Sequence, residues 1–197
     1  MEAAPFGLES AFILGFHGCD ATVAERILAG EPIKPSENSF DWLGSGAYFW
    51  ERNPRRGLEF AEEQSRRRTG PKITRPAVIG AVIDPGICLD LSTAAGTQLV
   101  ASAFEVADDL LRQAGGALPE NSPDILRRPR DCLVINTLHD IRREKQQSEF
   151  DTVRGVFVEG DPVFPGAALR AKTHVQMCVR NLDCIKGFFR VEQRFLK

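Results

Sequence analysis

The alternation of apolar and polar positions divides the chain into short, distinct segments. Phe12 to Phe16 is an apolar run ending at His17-Gly18, which predicts a buried strand. Thr22 and Glu25 have the spacing of a capping box and Gly30 supplies a stop, so a helix is expected between them. Glu31 to Asp41 is rich in Pro, Ser and Asn and suits an irregular loop. Gly44-Ser45-Gly46 then leads into a short aromatic strand, Ala47-Tyr48-Phe49-Trp50. Asn53-Pro54 opens a helix with proline at its first position, and Gly70 is its expected stop. Ala77 to Ile83 reads as a strand closed by an Asp84-Pro85-Gly86 turn.

The second half begins with two amphipathic helices, Thr97 to Gln113 and Arg130 to Lys145, separated by a Gly/Pro/Asn/Ser loop at 115–124. Leu133, Ile135, Leu138 and Ile141 form the apolar stripe of the second. Strands return at Val153 to Val158, His174 to Arg180 and Ile185 to Val191. Strands and helices mix without a regular βαβ alternation, which predicts an α+β fold. A length of 197 residues suits one domain, 1–197, carrying a helical segment at about 97–145.

Composition narrows the class. With 43% hydrophobic and 26% charged residues the chain is neither disordered nor fibrous. No apolar run approaches the ~18 residues of a membrane span, and the first residues lack the basic start of a secretory signal. Five cysteines, an odd number with no CxxC pair, argue for reduced thiols and a cytoplasmic location. A net charge of −2 gives no reason to expect non-specific nucleic-acid binding. Arg66-Arg67-Arg68 reads as a solvated face at a helix C-terminus.

Most catalytic motifs are missing: there is no phosphate-binding GxxxxGK, no GxGxxG after a strand, no GxSxG and no HExxH. His17 and Cys19 have no second ligand pair nearby, so no metal is expected. Cys132 and His139 lie roughly two helical turns apart, too far for a nucleophile–base pair. His139 falls off the apolar stripe and reads as a solvated or capping residue. Two residues stand out. His17 ends an apolar strand next to a glycine, where a backbone can approach a ligand. Tyr48 is the single tyrosine in a chain that uses 13 phenylalanines, and it too follows glycines at a strand.

These residues carry a resemblance. Phe16-His17-Gly18, a helix ending at Gly30, and Leu43-Gly44-Ser45-Gly46-Ala47-Tyr48-Phe49 resemble the first two elements of the ADP-ribosyltransferases of the diphtheria-toxin and poly(ADP-ribose) polymerase type. Thr173-His174-Val175-Gln176-Met177-Cys178-Val179-Arg180, followed by Ile185, is similar to the third. The resemblance implies a split β-sheet core flanked by helices, NAD as substrate and no metal. In it His17 bonds a hydroxyl of the ribose bearing nicotinamide, the Gly18 backbone pairs with the carboxamide, and Tyr48 stacks on the nicotinamide face. Phe60 supplies the second ring, and Ser36, in the loop before Tyr48, belongs to the same NAD site. The chain also resembles uncharacterised bacterial proteins with this fold, toxins and phage-defence effectors among them. That implies a macromolecular acceptor, protein or nucleic acid, and an antitoxin or immunity partner.

Two departures matter. The serine that helps hold the carboxamide falls near Arg56, and the third catalytic position, glutamate in enzymes that extend chains, is Gln176. An amide keeps the hydrogen bond but carries no charge to favour an oxocarbenium-like transition state. Mono-transfer is therefore expected rather than polymer synthesis, with Glu149, Glu159 or Asp161 as candidate assisting acids. A domain that binds NAD or ADP-ribose without transfer, and an RNA 2′-phosphotransferase using the basic residues of 52–75, stay open. Alternation on the last motif places His174, Gln176, Cys178 and Arg180 on one face, expected to line a cleft.

Overall fold

Strand β1 (Ile13–Asp20) is the axis of the molecule. In the computed structural model, which describes residues 12–67, 73–124 and 126–197, β1 pairs along its whole length with β3 (Pro76–Ile83). The expected strand end at His17-Gly18 is thus corrected. The strand runs on through both residues because β3 stays in register as far as Asp20↔Pro76. Asp20 then ends the strand and starts α1 (Ala21–Leu28). Its carboxylate accepts from the Thr22 amide at 2.9 Å and hydroxyl at 2.6 Å, and from the Thr74 amide, Thr74 hydroxyl and Arg75 amide at 2.7–3.0 Å. Asp20, not Thr22, is therefore the N-cap. Glu25 is drawn away to Arg190, so no capping box forms. These bonds to Asp20 hold its carboxyl well below the usual carboxylate range.

The other strands assemble around this pair. β2 (Ala47–Glu51) lies antiparallel to β1, β6 (His174–Val179) to β2, and β5 (Thr152–Phe157) to β6. β4 (Cys88–Asp90) adds in parallel at one edge and β7 (Ile185–Arg190) antiparallel at the other. The order is β4-β5-β6-β2-β1-β3-β7, one mixed seven-stranded sheet. Arg154 ties three strands together, bonding Glu51 at 2.6 and 3.2 Å and Asp90 at 3.1 Å.

Helices cover both faces. On one, α1 sets Ala24 and Ile27 among Phe49, Ile79, Ala81, Met177 and Val179. On the other, α3 (Ala94–Gln113) and α4 (Pro129–Glu144) pack Ala103, Ile135 and Leu138 against Leu89, Val153 and Cys178. α2 (Pro54–Ser65), capped by Asn53 as its sequence predicts, lays Gly57 on Phe16, Trp50 and Val78. It ends at Ser65, and Gly70 and Arg68 lie outside the described residues. The result is a single mixed α/β domain. No helix among the described residues is long and apolar enough to cross a membrane.

Residues 158–173 leave the sheet between β5 and β6 and fold back on themselves through Val163 N–H to Leu169 C=O, Ala171 to Asp161 and Lys172 to Glu159. Both stems are tied to α2, Glu159 by Arg56 at 2.9 Å and Lys172 by Glu63 at 2.8 Å.

One expectation fails in α4. His139 is fully buried, not solvated or capping, because the segment entering β5 closes over it and sets Phe150 edge-on to its ring. Val134, rather than Leu133, joins the core. His139 Nδ1 lies 3.5 Å from Glu149, and neither ring nitrogen has a hydrogen-bond partner among the described residues. Burial, with help from nearby Arg180, pushes its pKa down to about 3. The unfolded chain therefore binds a proton here that the folded chain refuses. Stability falls as pH drops below the ordinary histidine value of ~6.5, by up to about 1.4 kcal/mol per pH unit from this group. His139→Leu should match or exceed wild type at pH 7.5 and show a shallower loss towards pH 5. Urea unfolding at the two pH values checks this, and a parallel acid dependence in both proteins would contradict it.

Candidate functional site

The β1–β2 ladder contains only Gly15↔Glu51 and Phe16↔Trp50. The Leu14 carbonyl accepts from the Arg52 amide at 2.8 Å, so even-numbered residues of β1 aim their backbone groups at β2. Gly18 belongs to that series but lies beyond the last rung. Its N–H and C=O face a seam where the two strands part. By register the residue across the seam is Tyr48, and the Tyr48 carbonyl is bonded by His17 Nδ1 at 2.9 Å. A carbonyl only accepts, so Nδ1 carries the hydrogen and Nε2 the lone pair. Burial holds the His17 pKa below its usual value, opposed by the bond to Tyr48, so the ring is neutral at pH 7. The seam thus offers a peptide donor and acceptor on Gly18 beside an imidazole acceptor. A methyl group at position 18 would run into the Gly57 carbonyl of α2, which restricts the position to glycine.

The other predicted residues divide. Tyr48 and Gln176 share a sheet face with Trp50, which stands opposite Gln176 on one side and Phe16 on the other. Gln176 is two strands from β1, roughly 10 Å by inter-strand spacing. Phe60, on α2, covers that face with its ring 4.8 Å from Trp50. Ser36 lies apart, bridged to the Gly46 backbone, its hydroxyl accepting from Asn38. The cleft expected along β6 is narrower than predicted, because Cys178 and His174 are buried and Gln176 is half-buried.

The tyrosine hydroxyl is used within the chain. It donates to the Gly44 carbonyl at 2.8 Å and accepts from the Leu43 amide at 3.0 Å. Burial pushes its pKa well above the usual phenol value. Asn136 and Arg180 grip the same loop through Ser45, at 3.1 and 2.8 Å. This is a reason for a phenol that stacking alone does not require.

Three features were not legible from residue types. Trp42 donates its indole N–H to Gln176 Oε1 at 2.6 Å, across 134 residues of sequence. Arg56, buried, bonds Glu159 and Glu63 through Nη2, while Nε and Nη1 have no hydrogen-bond partner among the described residues. It lines a cavity of about 220 Å³ with Asn53, Arg55, Lys172 and Thr173. Trp50 Nε1 and His174 Nε2 also have no hydrogen-bond partner among the described residues. Of the candidate acids, Glu159 is held by Arg56 and Glu149 by Arg143, while Asp161 is exposed on the 158–173 excursion. All five cysteines are buried with their thiols pushed upward, Cys178 to about 12, so none is a thiolate nucleophile at neutral pH.

Comparison with protein-family models, curated proteins and solved structures finds no match to this chain.

Tyr48→Phe keeps the ring but strips partners from the Leu43 amide and the Gly44 carbonyl. The expected cost is about 1–3 kcal/mol of stability, read from urea unfolding. An unchanged midpoint would show that the hydroxyl does not anchor the loop.

Proposed function

We propose that the chain is an NAD-consuming mono-ADP-ribosyltransferase of the diphtheria-toxin and poly(ADP-ribose) polymerase type. The observation that carries this reading is the seam. A carboxamide has one carbonyl and one NH₂ group, and it pairs in two bonds with the N–H and C=O of a single extended residue. Gly18 has both groups facing the seam. His17 Nε2, an acceptor, would take a hydroxyl of the adjoining ribose. The two-rung β1–β2 ladder supports the finer fold expectation, a sheet core split between these strands.

In the proposed reaction the bond between the ribose C1′ and the nicotinamide nitrogen breaks, and its electron pair leaves with nicotinamide. The positive charge left on the ribose is quenched by a nucleophilic atom of the acceptor, which loses its proton. Gln176 contributes a hydrogen bond to the ribose without a charge, which fits a single transfer to a macromolecule, protein or nucleic acid, and not chain extension. A toxin or phage-defence role with an antitoxin or immunity partner accords with such an activity. The RNA 2′-phosphotransferase reading loses support, since Arg55 and Arg56 are turned onto Glu59, Glu63 and Glu159. A second reading, binding of NAD or ADP-ribose without transfer, is favoured by the uncharged Gln176 with its oxygen already engaged by Trp42.

Nicotinamide release from NAD by the pure protein, with and without cell extract, tests the proposal. Release is expected, stimulated by extract, and lost in His17→Ala. Binding without release would favour the second reading, and neither binding nor release would sink both.

NAD affinity should also depend on pH. Protonation converts His17 Nε2 from acceptor to donor, so affinity should be level above pH ~6.5 and weaken as pH falls through the depressed His17 pKa. Titration calorimetry from pH 8 to pH 5 measures it, and affinity that strengthens in acid would contradict the assignment.

A further inference from the structure

Gln176 does not choose its own orientation. A side-chain amide has two faces of nearly equal shape, an oxygen that accepts and a nitrogen that donates. The indole N–H of Trp42 only donates, and it meets Oε1 at 2.6 Å. The oxygen is therefore committed to Trp42 and Nε2 is turned away from it. Trp42 is itself held. The Arg128 guanidinium lies 5.0 Å from its ring centre and Phe157 packs edge-on at 5.3 Å. Gly155 stands directly opposite Gln176 in the β5–β6 ladder, and a methyl group there would come within 2.6 Å of Trp42 Cη2. Only glycine lets the indole lie over that rung. The following residues, Leu43 and Gly44, are pinned by the Tyr48 hydroxyl. The loop is fixed by one ring and reaches Gln176 with another.

We propose that Trp42 is a positioning residue that locks the Gln176 amide with Nε2 towards the ligand, so that this position of the site presents a hydrogen-bond donor. The identity of the ligand rests on the NAD reading, but the orientation does not. With a ribose bound, Gln176 Nε2 donates to a hydroxyl oxygen. A ligand group that only donates finds no partner in Gln176 Nε2.

The test combines a spectrum with a mutant cycle. In ¹H–¹⁵N spectra of the protein without NAD, the Trp42 indole resonance should lie downfield and move upfield in Gln176→Ala, while that of Trp50 stays. An unmoved Trp42 resonance overturns the proposal whatever the kinetics show. Trp42→Phe keeps an aromatic ring and removes the donor along with part of the ring over Gly155, a packing loss common to both backgrounds of the cycle. Nicotinamide release at saturating NAD should fall about tenfold, as for loss of one hydrogen bond, with the NAD dissociation constant changed by less than about threefold. In the Gln176→Glu background both oxygens accept and there is no orientation to select, so the same substitution should cost about threefold or less. Equal losses in the two backgrounds, or a loss confined to NAD affinity, would overturn the positioning role. Absence of nicotinamide release in the wild type, with the indole shift as expected, defeats the transferase reading and leaves the Trp42–Gln176 lock standing.

Discussion

Two adjacent strands stop pairing after two rungs, and the candidate site is built around that break. A continuous β1–β2 ladder would consume the backbone groups of Gly18 and Tyr48 in the sheet. Here each strand is secured from its outer side instead, β1 by eight residue pairs with β3 and β2 by four with β6. The sheet can therefore open at its middle without losing either strand. His17 makes the opening tolerable, because its Nδ1–H replaces the missing rung at the Tyr48 carbonyl, which would otherwise be left short of a partner. The same bond settles the imidazole tautomer, so a structural repair and a chemical setting come from one contact.

The groups nearest the seam are uncharged. His17 is held neutral by burial, Gln176 is an amide, and the Tyr48 phenol is far from ionising. The full charges nearby are matched in pairs at the margins, Arg56 with Glu159 and Glu63, Arg154 with Glu51 and Asp90. Recognition by such a site depends on the direction of hydrogen bonds more than on Coulomb attraction. Orientation is then worth more than proximity, which is why a residue that only turns an amide can matter.

Much of the fold was legible where local chemistry is explicit. Asn53-Pro54 announces α2, the turn at Asp84-Pro85-Gly86 closes β3, and the apolar periodicity places α3 and α4 within a few residues. The strand end at His17 was misread because a glycine and a polar residue look like punctuation, when β3 in fact carries the strand through them. His139 was misread because the stripe was counted on one side of α4, whereas positions 132, 135 and 139 also share a helical face and the approach to β5 covers it. The pairing of Trp42 with Gln176 has no local signature, since it depends on which strands become neighbours. Phe60 and Tyr48 fell on the same face as Gln176, which period-two alternation anticipates only once the strand order is known.

The excursion between β5 and β6 has both of its stems moored to the same helix, through Arg56–Glu159 on one side and Glu63–Lys172 on the other. The moorings stand between the tip and the sheet. Val163, Phe164 and Leu169 are exposed on that tip, yet the register of β5 against β6, and with it the place of Gln176, is set below the moorings. Lengthening a closed loop adds only slowly to its entropic cost. A change of length between 160 and 171 therefore adds little entropic cost and leaves the β5–β6 register, and the place of Gln176, where the moorings and the ladder set them.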